Sequence, residues 1–431
     1  MGGECLAVKP TTIRRVRELR LLRPLRIRDF RLLWLAQGVS LFGDQFYLVA
    51  LPWLTLQLTG SGLALGSVLM VAGGARAVFQ LLGGALSDRF SARSLMLISN
   101  LVRAGATATI TALVIGGVVE LWQLYALSIV FGVVDAFFFP ASVSVVPQLV
   151  VKEYLTAANG LLRGTNRLMA LSGPAIAGLV VFHRSLGSAF AIDTATFVFA
   201  ATMIWLMRKQ SGAAAFEEGD EAKPSEARSN RLLRSIVEGL KYAWQHPLLK
   251  YLLFFIAMIE FCFVGPSSVG LATLAKTRFE TDWGASALGW MLSAFGAGML
   301  IGMVVAGSVK VSRGRGKLII GATLLLGFGL LLLGFAHELL WAGVTLTFIG
   351  IGGGLANITI LSLLQAETDR RMLGRVMGLL MFGSTLVESL SYALAGVIAD
   401  KSLTALFVGS GALLLVAISL SLTGRTLRTL A

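Results

Sequence analysis

The segment GGALSDRFSARS, residues 83–94, is a short polar island between two long apolar stretches. The stretch before it covers about residues 62–86, and the stretch after it covers about residues 94–116. An α-helix needs about 20 apolar residues to cross a hydrocarbon core of about 30 Å, so each stretch is long enough. The segment is therefore predicted to be a loop between two membrane-spanning helices.

The composition of the whole chain also indicates a membrane protein. Its 431 residues are 56% hydrophobic and 14% charged, whereas a soluble domain is about 45–50% apolar. Strands of a membrane barrel would alternate in polarity over about ten residues, and these runs do not. The prediction is an all-α membrane protein with twelve transmembrane helices. The predicted spans are approximately 31–57, 62–86, 94–116, 121–146, 159–182, 187–207, 249–273, 285–309, 317–336, 339–363, 375–397 and 402–423.

The basic residues predict which side of the membrane holds the chain ends. An even number of spans places both ends on one side, and most of the 37 Lys and Arg residues fall there. Arg184, Lys276, Arg278 and Lys401 fall on the other side. The positive-inside rule therefore predicts cytoplasmic termini and a multi-pass protein of the cell (inner or plasma) membrane. The net charge of +14 then reports topology and contact with the lipid bilayer, and no nucleic-acid partner is expected.

A polar segment from about residue 208 to 230 divides the spans six and six, and reads as a solvated linker. After it, Leu233, Ile236, Val237, Leu240 and Trp244 recur at helical spacing. They predict an amphipathic helix, lying either at the membrane interface or on the adjacent loops. The predicted division is a basic cytoplasmic arm (1–30), a six-helix bundle (31–207), a cytoplasmic linker with the amphipathic helix (208–248), a second six-helix bundle (249–423) and a cytoplasmic tail (424–431).

The two bundles share an internal repeat. A shift of 218 residues places LTAANGLL (155–162) on LGRVMGLL (373–380), and a shift of 223 matches the second span to the eighth. The matches fall in equivalent spans, which favours two six-helix pseudo-repeats. The matched glycines include Gly66 with Gly289 and Gly178 with Gly396.

The opening segment resembles the loop signature of the major facilitator superfamily, G-x-L-a-D-R-x-G-R-K/R. It departs from that signature at Ser91, where Gly is usual, and at Ala92, where a basic residue is usual. The resemblance implies the major facilitator fold over nearly the whole chain. It also implies a gating loop whose acid holds the cytoplasmic side shut, with a simple topology marker as the alternative. The gating-loop residues are Gly84, Asp88, Arg89 and Arg93.

Span five contains SGPAIAG, residues 172–178, which resembles the antiporter motif of the same superfamily. Gly173, Pro174 and Gly178 would kink the helix and let a neighbouring helix approach closely, although an ordinary kink is the alternative. AFFFPASVSVVPQLV (136–150) and LLRGTN (161–166) resemble the exporter branch that includes macrolide-efflux and enterobactin-exporter proteins. This resemblance implies efflux of a small-molecule substrate.

Four acids fall near the middle of predicted spans: Asp44, Asp135, Glu260 and Glu388. An ionisable group at the bilayer centre costs roughly 2.5–3.5 kcal/mol on insertion scales, so such groups are functional or paired. The resemblance implies that spans one, four, seven and eleven border a central cavity. The four acids are therefore candidates for proton coupling or substrate binding. Asp193, near the outer end of span six, is expected to be structural.

Asp44 and Arg76 are equally far from residue 60, in the connection between spans one and two. Equal depth in a helical hairpin predicts an ion pair or a water-bridged contact between them, coupled to transport or purely structural. Asp135 and Glu260 have no basic residue within one turn, which makes them the candidates for proton uptake or for pairing a cationic substrate. The remaining embedded basic residues are assigned support roles. Arg103 makes a cytoplasm-facing support contact, and Arg163 and Arg167 either snorkel or pair with Asp88.

The sequence carries no enzyme signature. His337-Glu338 lacks a second histidine four residues on, so the zinc-protease motif fails, and no cofactor or metal is expected. The predicted function is proton-coupled export of a hydrophobic or cationic small molecule, drug-like or siderophore-like, by alternating access. A lipid or lysophospholipid flippase of the same fold and a non-transporting membrane sensor are the alternatives. The expected partners are the substrate, protons and the bilayer, and the expected state is a monomer.

Overall fold

The computed structural model describes residues 22–86, 91–208, 228–308, 315–369 and 371–423. Within these ranges, twelve helices are long and apolar enough to span a membrane. They are α1 (Arg28–Thr59), α2 (Gly62–Leu86), α3 (Ala92–Ile115), α4 (Leu121–Leu149), α5 (Leu155–His183), α6 (Leu186–Leu206), α7 (Pro247–Arg278), α8 (Ala285–Ser308), α9 (Arg315–Leu333), α10 (Leu339–Glu367), α11 (Leu373–Lys401) and α12 (Leu403–Thr423).

The twelve predicted spans and the all-α fold are confirmed, and most helices extend a few residues beyond their apolar run. Local signals explain the ends. Gly60 ends α1 in the left-handed conformation, with φ 66°, which suits a residue without a Cβ atom. Glu120 and Gln123 form a reciprocal capping box at the start of α4.

The helices form two six-helix halves, α1–α6 and α7–α12. In the first half α6 packs against α1 and α3, and in the second half α10 packs against α8 and α9. Two long seams join the halves, α2 against α11 and α5 against α8. The site between the halves is therefore bounded by these two seams.

The glycines matched by the internal repeat are the crossing points of the two seams. A Cβ atom built on Gly66 would lie 3.0 Å from the Cα atom of Gly396, and one built on Gly178 would lie 3.1 Å from the Cα atom of Gly289. Only a residue without a side chain allows backbones to approach this closely. The repeat thus places equivalent contacts at both seams.

The α2–α11 seam is closed at one end of the bundle. The terminal side is the end where α1 begins and α12 ends. On the opposite side, Asp400 of α11 caps α2: its carboxylate accepts from Ser61 Oγ at 2.6 Å, from Leu63 N at 3.1 Å and from Gly62 N. The Asp400 carboxylate therefore holds the end of α11 against the start of α2 on this side.

A π-turn, Pro266–Gly270, interrupts α7 next to the cavity. Pro266 has no N–H group to continue the ladder, which favours an irregular turn. Ser391 of α11 satisfies backbone groups around it, donating to Phe261 O at 2.6 Å and accepting from Gly265 N at 2.8 Å. These bonds fix α7 against α11 one turn beyond Glu260.

The predicted amphipathic helix exists as Arg228–Gln245, called here the linker helix. One face is tied to the start of α11: Glu238 forms an ion pair with Arg375 at 3.1 Å, and Tyr242 Oη accepts from Asp369 N at 3.3 Å. Leu240 and Trp244 on the other face are exposed. Leu233 and Ile236 carry side chains outside the described set, so the interfacial position of the helix stays a prediction.

Several predicted features lie outside the described residues. They are Asp88, Arg89, most of the basic arm, most of the polar linker and the tail 424–431.

Candidate functional site: a charged cavity between the halves

A cavity of about 770 Å³ lies between the two halves. Its apolar wall includes Phe138, Phe263 and Phe295. It reaches Met377, close to the start of α11, so it extends toward the terminal side. Six charged residues line it: Asp44, Arg76, Arg103, Asp135, Glu260 and Glu388. The four predicted membrane acids are therefore brought together around one cavity.

Arg76 of α2 forms an ion pair with Glu388 of α11. The prediction of a direct ion pair between Arg76 and Asp44 is wrong. The two residues line the same cavity, but the guanidinium turns across the seam toward the other half. The ion pair therefore joins the two halves instead of two neighbouring helices of one half.

Arg103 of α3 is buried and forms an ion pair with Asp135 of α4. Its guanidinium carbon also lies 4.8 Å from the ring centroid of Phe138 and 5.5 Å from that of Phe197. Such contacts stabilise a cation away from water. The prediction that Arg103 faces the cytoplasm is wrong, because the acid of the next helix and the surrounding rings hold it inside the first half.

Two further acids lie near Arg103. Asp44 of α1 is half-buried and interacts electrostatically with Arg103 and Asp135. Asp193 of α6 is fully buried, and neither carboxylate oxygen has a hydrogen-bond partner among the described residues. Three carboxylates, those of Asp44, Asp135 and Asp193, therefore surround one guanidinium. Because burying an ionised carboxylate without a partner is very unfavourable, one cation cannot stabilise all three in their charged form.

Glu260 of α7 lies on the opposite wall. Its Oε1 accepts from Ser384 Oγ of α11 at 2.8 Å, while Oε2 is buried with no hydrogen-bond partner among the described residues. Nearby, Thr385 Oγ1 donates to Gln80 Oε1 across the α2–α11 seam at 3.4 Å. Glu260 is therefore an acceptor with one oxygen available to a ligand or a proton.

The described part of the gating loop makes contacts within the first half. Gly84 lies in the last turn of α2. Arg93 donates from Nε to Ile204 O at 3.1 Å and from a terminal nitrogen to Trp205 O at 2.6 Å, which satisfies carbonyls at the end of α6. Ser91 caps α3 by accepting from Ser94 N at 3.2 Å, so serine has a local role where the family has glycine.

The SGPAIAG segment lies on the α5–α8 seam. Gly173 faces Gln45 of α1, and Gly178 faces Gly289. Just after Pro174, Ala175 N donates to Ser293 Oγ of α8 at 3.0 Å. The expected close approach of a neighbouring helix is present at both glycines: Gly173 approaches α1 of the same half, and Gly178 approaches α8 of the other half.

The two arginines at the start of α5 differ in their surroundings. Arg163 is exposed, whereas a terminal nitrogen of Arg167 lies 3.8 Å from Met299 Sδ of α8, across the seam. Arg163 therefore has the exposure expected of a snorkelling residue, while Arg167 contacts the cavity wall of the other half.

Two functional relationships were missed in the sequence, and one had a signal there. Arg103 and Asp135 lie at nearly equal distances from the connection Gly116–Glu120, so the same equal-depth argument applied to α1 and α2 would have paired them. Ser384 had no such signal, because its role depends on α11 lying beside α7.

Relatives of this chain are named as transporters. The uncharacterized MFS-type transporter YfiS of Bacillus subtilis (strain 168) is 26% identical over 372 residues, 85% of each chain. The multidrug efflux pump Tap of Mycolicibacterium fortuitum is 25% identical over 366 residues, covering 84% of this chain and 86% of the relative. The enterobactin exporter EntS of Shigella boydii serotype 18 is 25% identical over 379 residues, covering 85% and 84%.

Solved structures share the fold. The nucleoside transporter NupG matches with a TM-score of 0.75 at 11% identity, over 92% of this chain and 98% of the other. A POT family transporter in complex with a thioalcohol-conjugated peptide matches with a TM-score of 0.73 at 13% identity, over 92% and 96%. At these identities the likeness concerns the fold alone.

The family model of the Major Facilitator Superfamily matches residues 33–392, from α1 to α11. With the twelve helices and the transporter relatives, this match identifies a multi-pass membrane transporter of small molecules and not an enzyme. The chain belongs to the Major Facilitator Superfamily.

Proposed function

We propose that this protein is a secondary active transporter that exports a hydrophobic or cationic small molecule in exchange for protons. The observation that carries the proposal is the charge balance of the central cavity, whose walls hold four carboxylates and two arginines. Each arginine pairs with one acid, which leaves Asp44 and Glu260 without an ion pair to any residue in the described ranges. Carboxylates in an apolar cavity are stabilised by a bound cation or by a proton, so cation and proton can compete for them.

The ion pair between Arg76 and Glu388 can couple the competition between proton and cation to movement of the two halves. Protonation of Glu388, or a cation bound beside it, weakens its attraction for Arg76 and loosens the α2–α11 seam. A ligand that binds one state better than the other shifts the balance between inward-open and outward-open states. The cavity acids can therefore link proton binding to alternating access.

The topology and direction belong to the same proposal. The excess of basic residues on the terminal side supports cytoplasmic termini in the cell inner membrane, and the cavity would then open to the cytoplasm. Export is supported by the names of the relatives Tap and EntS. A monomer is sufficient for transport, because the two halves of one chain together form the central cavity. In the outward-open state, Asp88 of the gating loop, with Gly84 and Arg89 beside it, would hold the cytoplasmic side shut.

The test is uptake into inside-out membrane vesicles with an acidic lumen, using ethidium, a macrolide and a catechol siderophore as probes. Accumulation of at least one probe that collapses when nigericin removes the pH gradient is expected. Absence of gradient-dependent uptake for all three, with transfer of a fluorescent lysophospholipid instead, would favour the flippase. Absence of any transport would favour the sensor.

The residue-level test replaces Glu260 by Gln and Asp44 by Asn at matched expression. Each change keeps the shape and removes the charge, so gradient-driven uptake is expected to fall by about tenfold or more, which corresponds to about 1.4 kcal/mol. Glu338→Gln is the matched control, because Glu338 is exposed at the start of α10 on the opposite side. Unchanged coupling in both cavity variants would contradict their assignment.

A further inference from the structure

A second cavity, of about 650 Å³, lies between α7, α11 and the linker helix, and is called here the crevice. Its wall is mostly apolar, with Leu253, Leu379 and Val387 among its residues. Four residues line both the crevice and the central cavity: Ile256, Glu260, Leu380 and Ser384. The two cavities therefore adjoin where Ser384 donates to Glu260.

The crevice and the central cavity meet different faces of α11. Leu379, Gly383 and Val387 line only the crevice, whereas Met381 and Glu388 line only the central cavity. Residues four apart lie on one face of a helix, and at 100° per residue the two sets mark nearly opposite faces, about 150° apart. The crevice therefore opens away from the central cavity, on the outer side of the α7–α11 pair.

The mouth of the crevice has an apolar rim. Phe254 of α7 is 64% exposed and Trp244 of the linker helix is 67% exposed. Because Phe254 lies on a membrane-spanning helix, its exposed ring faces the bilayer. Lys250 places its ammonium 4.7 Å from the Trp244 ring centroid, an arrangement typical of the membrane interface. The mouth is therefore suited to molecules that have partitioned into the membrane.

The charges of the crevice favour a particular ligand. Among the described residues that line it, Lys250 at the rim and Glu260 at the inner end are the charged groups. Glu260 Oε2 is buried and has no hydrogen-bond partner among the described residues. An amine with a long apolar body would place its ammonium on Glu260 and its chain along Leu253 and Val387.

We propose that the crevice is a second binding site, through which a lipophilic amine passes from the membrane leaflet on the terminal side into the central cavity. Glu260 receives its ammonium in place of the Ser384 hydroxyl. The inference rests on the proposed export function and narrows its substrate to amines that dissolve in the membrane.

The test introduces a larger side chain on α11 that occupies the crevice. A Cβ atom on Gly383 meets nothing within 4 Å, so Gly383→Leu extends into the crevice without displacing backbone. Gly378→Leu is the matched control, because Gly378 also faces open space on α11 and lines neither cavity. The probes are two dansyl amines with the same head group, one with a twelve-carbon chain and one with a two-carbon chain.

Gly383→Leu is expected to slow gradient-driven uptake of the long-chain amine by about fivefold or more relative to Gly378→Leu, a difference of about 1 kcal/mol. Uptake of the short-chain amine, which reaches the central cavity from water, is expected to stay unchanged. Equal uptake of the long-chain amine by both variants would overturn the proposal. If Gly383→Leu lost transfer of a dansyl-lysophospholipid but kept normal uptake of both amines, the proposal would also be overturned, because the crevice would then hold a lipid.

A binding measurement separates failure of the crevice from failure of the export function. Energy transfer from Trp244 to the long-chain dansyl amine is expected in the purified protein, and is expected to drop in both Trp244→Phe and Gly383→Leu. Wild-type binding without any uptake would overturn the export function and leave the crevice as a binding site. Energy transfer unchanged by Gly383→Leu would overturn the crevice.

Discussion

Arg76 of α2 and Glu388 of α11 form an ion pair across the seam between the two halves. Three other contacts follow the same antiparallel register along these helices, with Gly62 near Ala399, Gly66 near Gly396 and Gly73 near Ser389. The pair continues this register toward the terminal side, beyond the close glycine contacts. It is therefore placed where separation of the halves would break it.

Glu388→Gln is expected to lower the initial transport rate in proteoliposomes by about tenfold or more, because Arg76 keeps its charge and loses its counter-ion. Exchanging the pair, with Arg76→Glu and Glu388→Arg together, is expected to recover part of the rate. Glu367→Gln is the control, since Glu367 is exposed at the end of α10. A single variant as active as the control would show that transport does not depend on the seam pair.

Gly178→Ala is expected to weaken the α5–α8 seam. The new Cβ atom would lie 3.0 Å from the Cα atom of Ser286 and 3.1 Å from that of Gly289, so the helices must separate. The measurements are thermal stability in detergent and a spin-label distance across the seam on the opposite side. Stability is expected to fall and the distance to increase.

Gly164→Ala on the same helix provides the control for this prediction. Gly164 faces open space, and alanine is a better helix former than glycine by about 1 kcal/mol, so stability should stay the same or rise. If Gly178→Ala behaved like Gly164→Ala in both measurements, the close glycine contact would not hold the seam.

The sequence was sufficient for the parts of the fold that depend on distance along the chain. Apolar length placed all twelve helices, and the repeat matched Gly66 with Gly289 and Gly178 with Gly396, which the structure shows to be the crossing points of the two seams. Apolar length and repeat spacing can both be read from the sequence without knowing which helices pack together, because they depend only on positions along the chain.

The ion pairs show where that information ends. Equal distance from a turn gives the depth of a residue in the membrane, and Asp44 and Arg76 do line one cavity. Equal distance from a turn does not tell to which side of the helix a side chain points. It also does not tell which helix of the other half packs on that side. Glu388 is far away in sequence and became the partner of Arg76 because α2 packs on α11.

Asp400→Asn is expected to loosen the closed end of the bundle. The Asp400 carboxylate accepts from Ser61 Oγ and from the first N–H groups of α2, and a carboxylate at a helix start is stabilising by about 0.5–2 kcal/mol. The amide keeps one acceptor oxygen and loses the charge. The population open on the opposite side is therefore expected to rise severalfold, as measured by alkylation of a cysteine introduced at Phe263, which lines the cavity.

The control for Asp400 is Asp282→Asn, an exposed acid in the short turn Glu280–Trp283 on the same side of the bundle. Equal alkylation rates in both variants would show that the Asp400 cap contributes nothing to closure.

Arg103→Ala is expected to destabilise the first half. Removing Arg103 leaves half-buried Asp135 without its counter-ion, and a hydrogen bond to a charged group contributes about 1.5–3 kcal/mol. Asp44 and buried Asp193 would lose the same cation. Arg103→Lys keeps the charge but loses the planar group among the rings of Phe138 and Phe197, so a smaller loss is expected. Thermal unfolding in detergent measures both, with exposed Arg163→Ala as the control. If Arg103→Ala unfolded at the same temperature as Arg163→Ala, the acids around Arg103 would have to be neutral without it, and the arginine would not be what stabilises them.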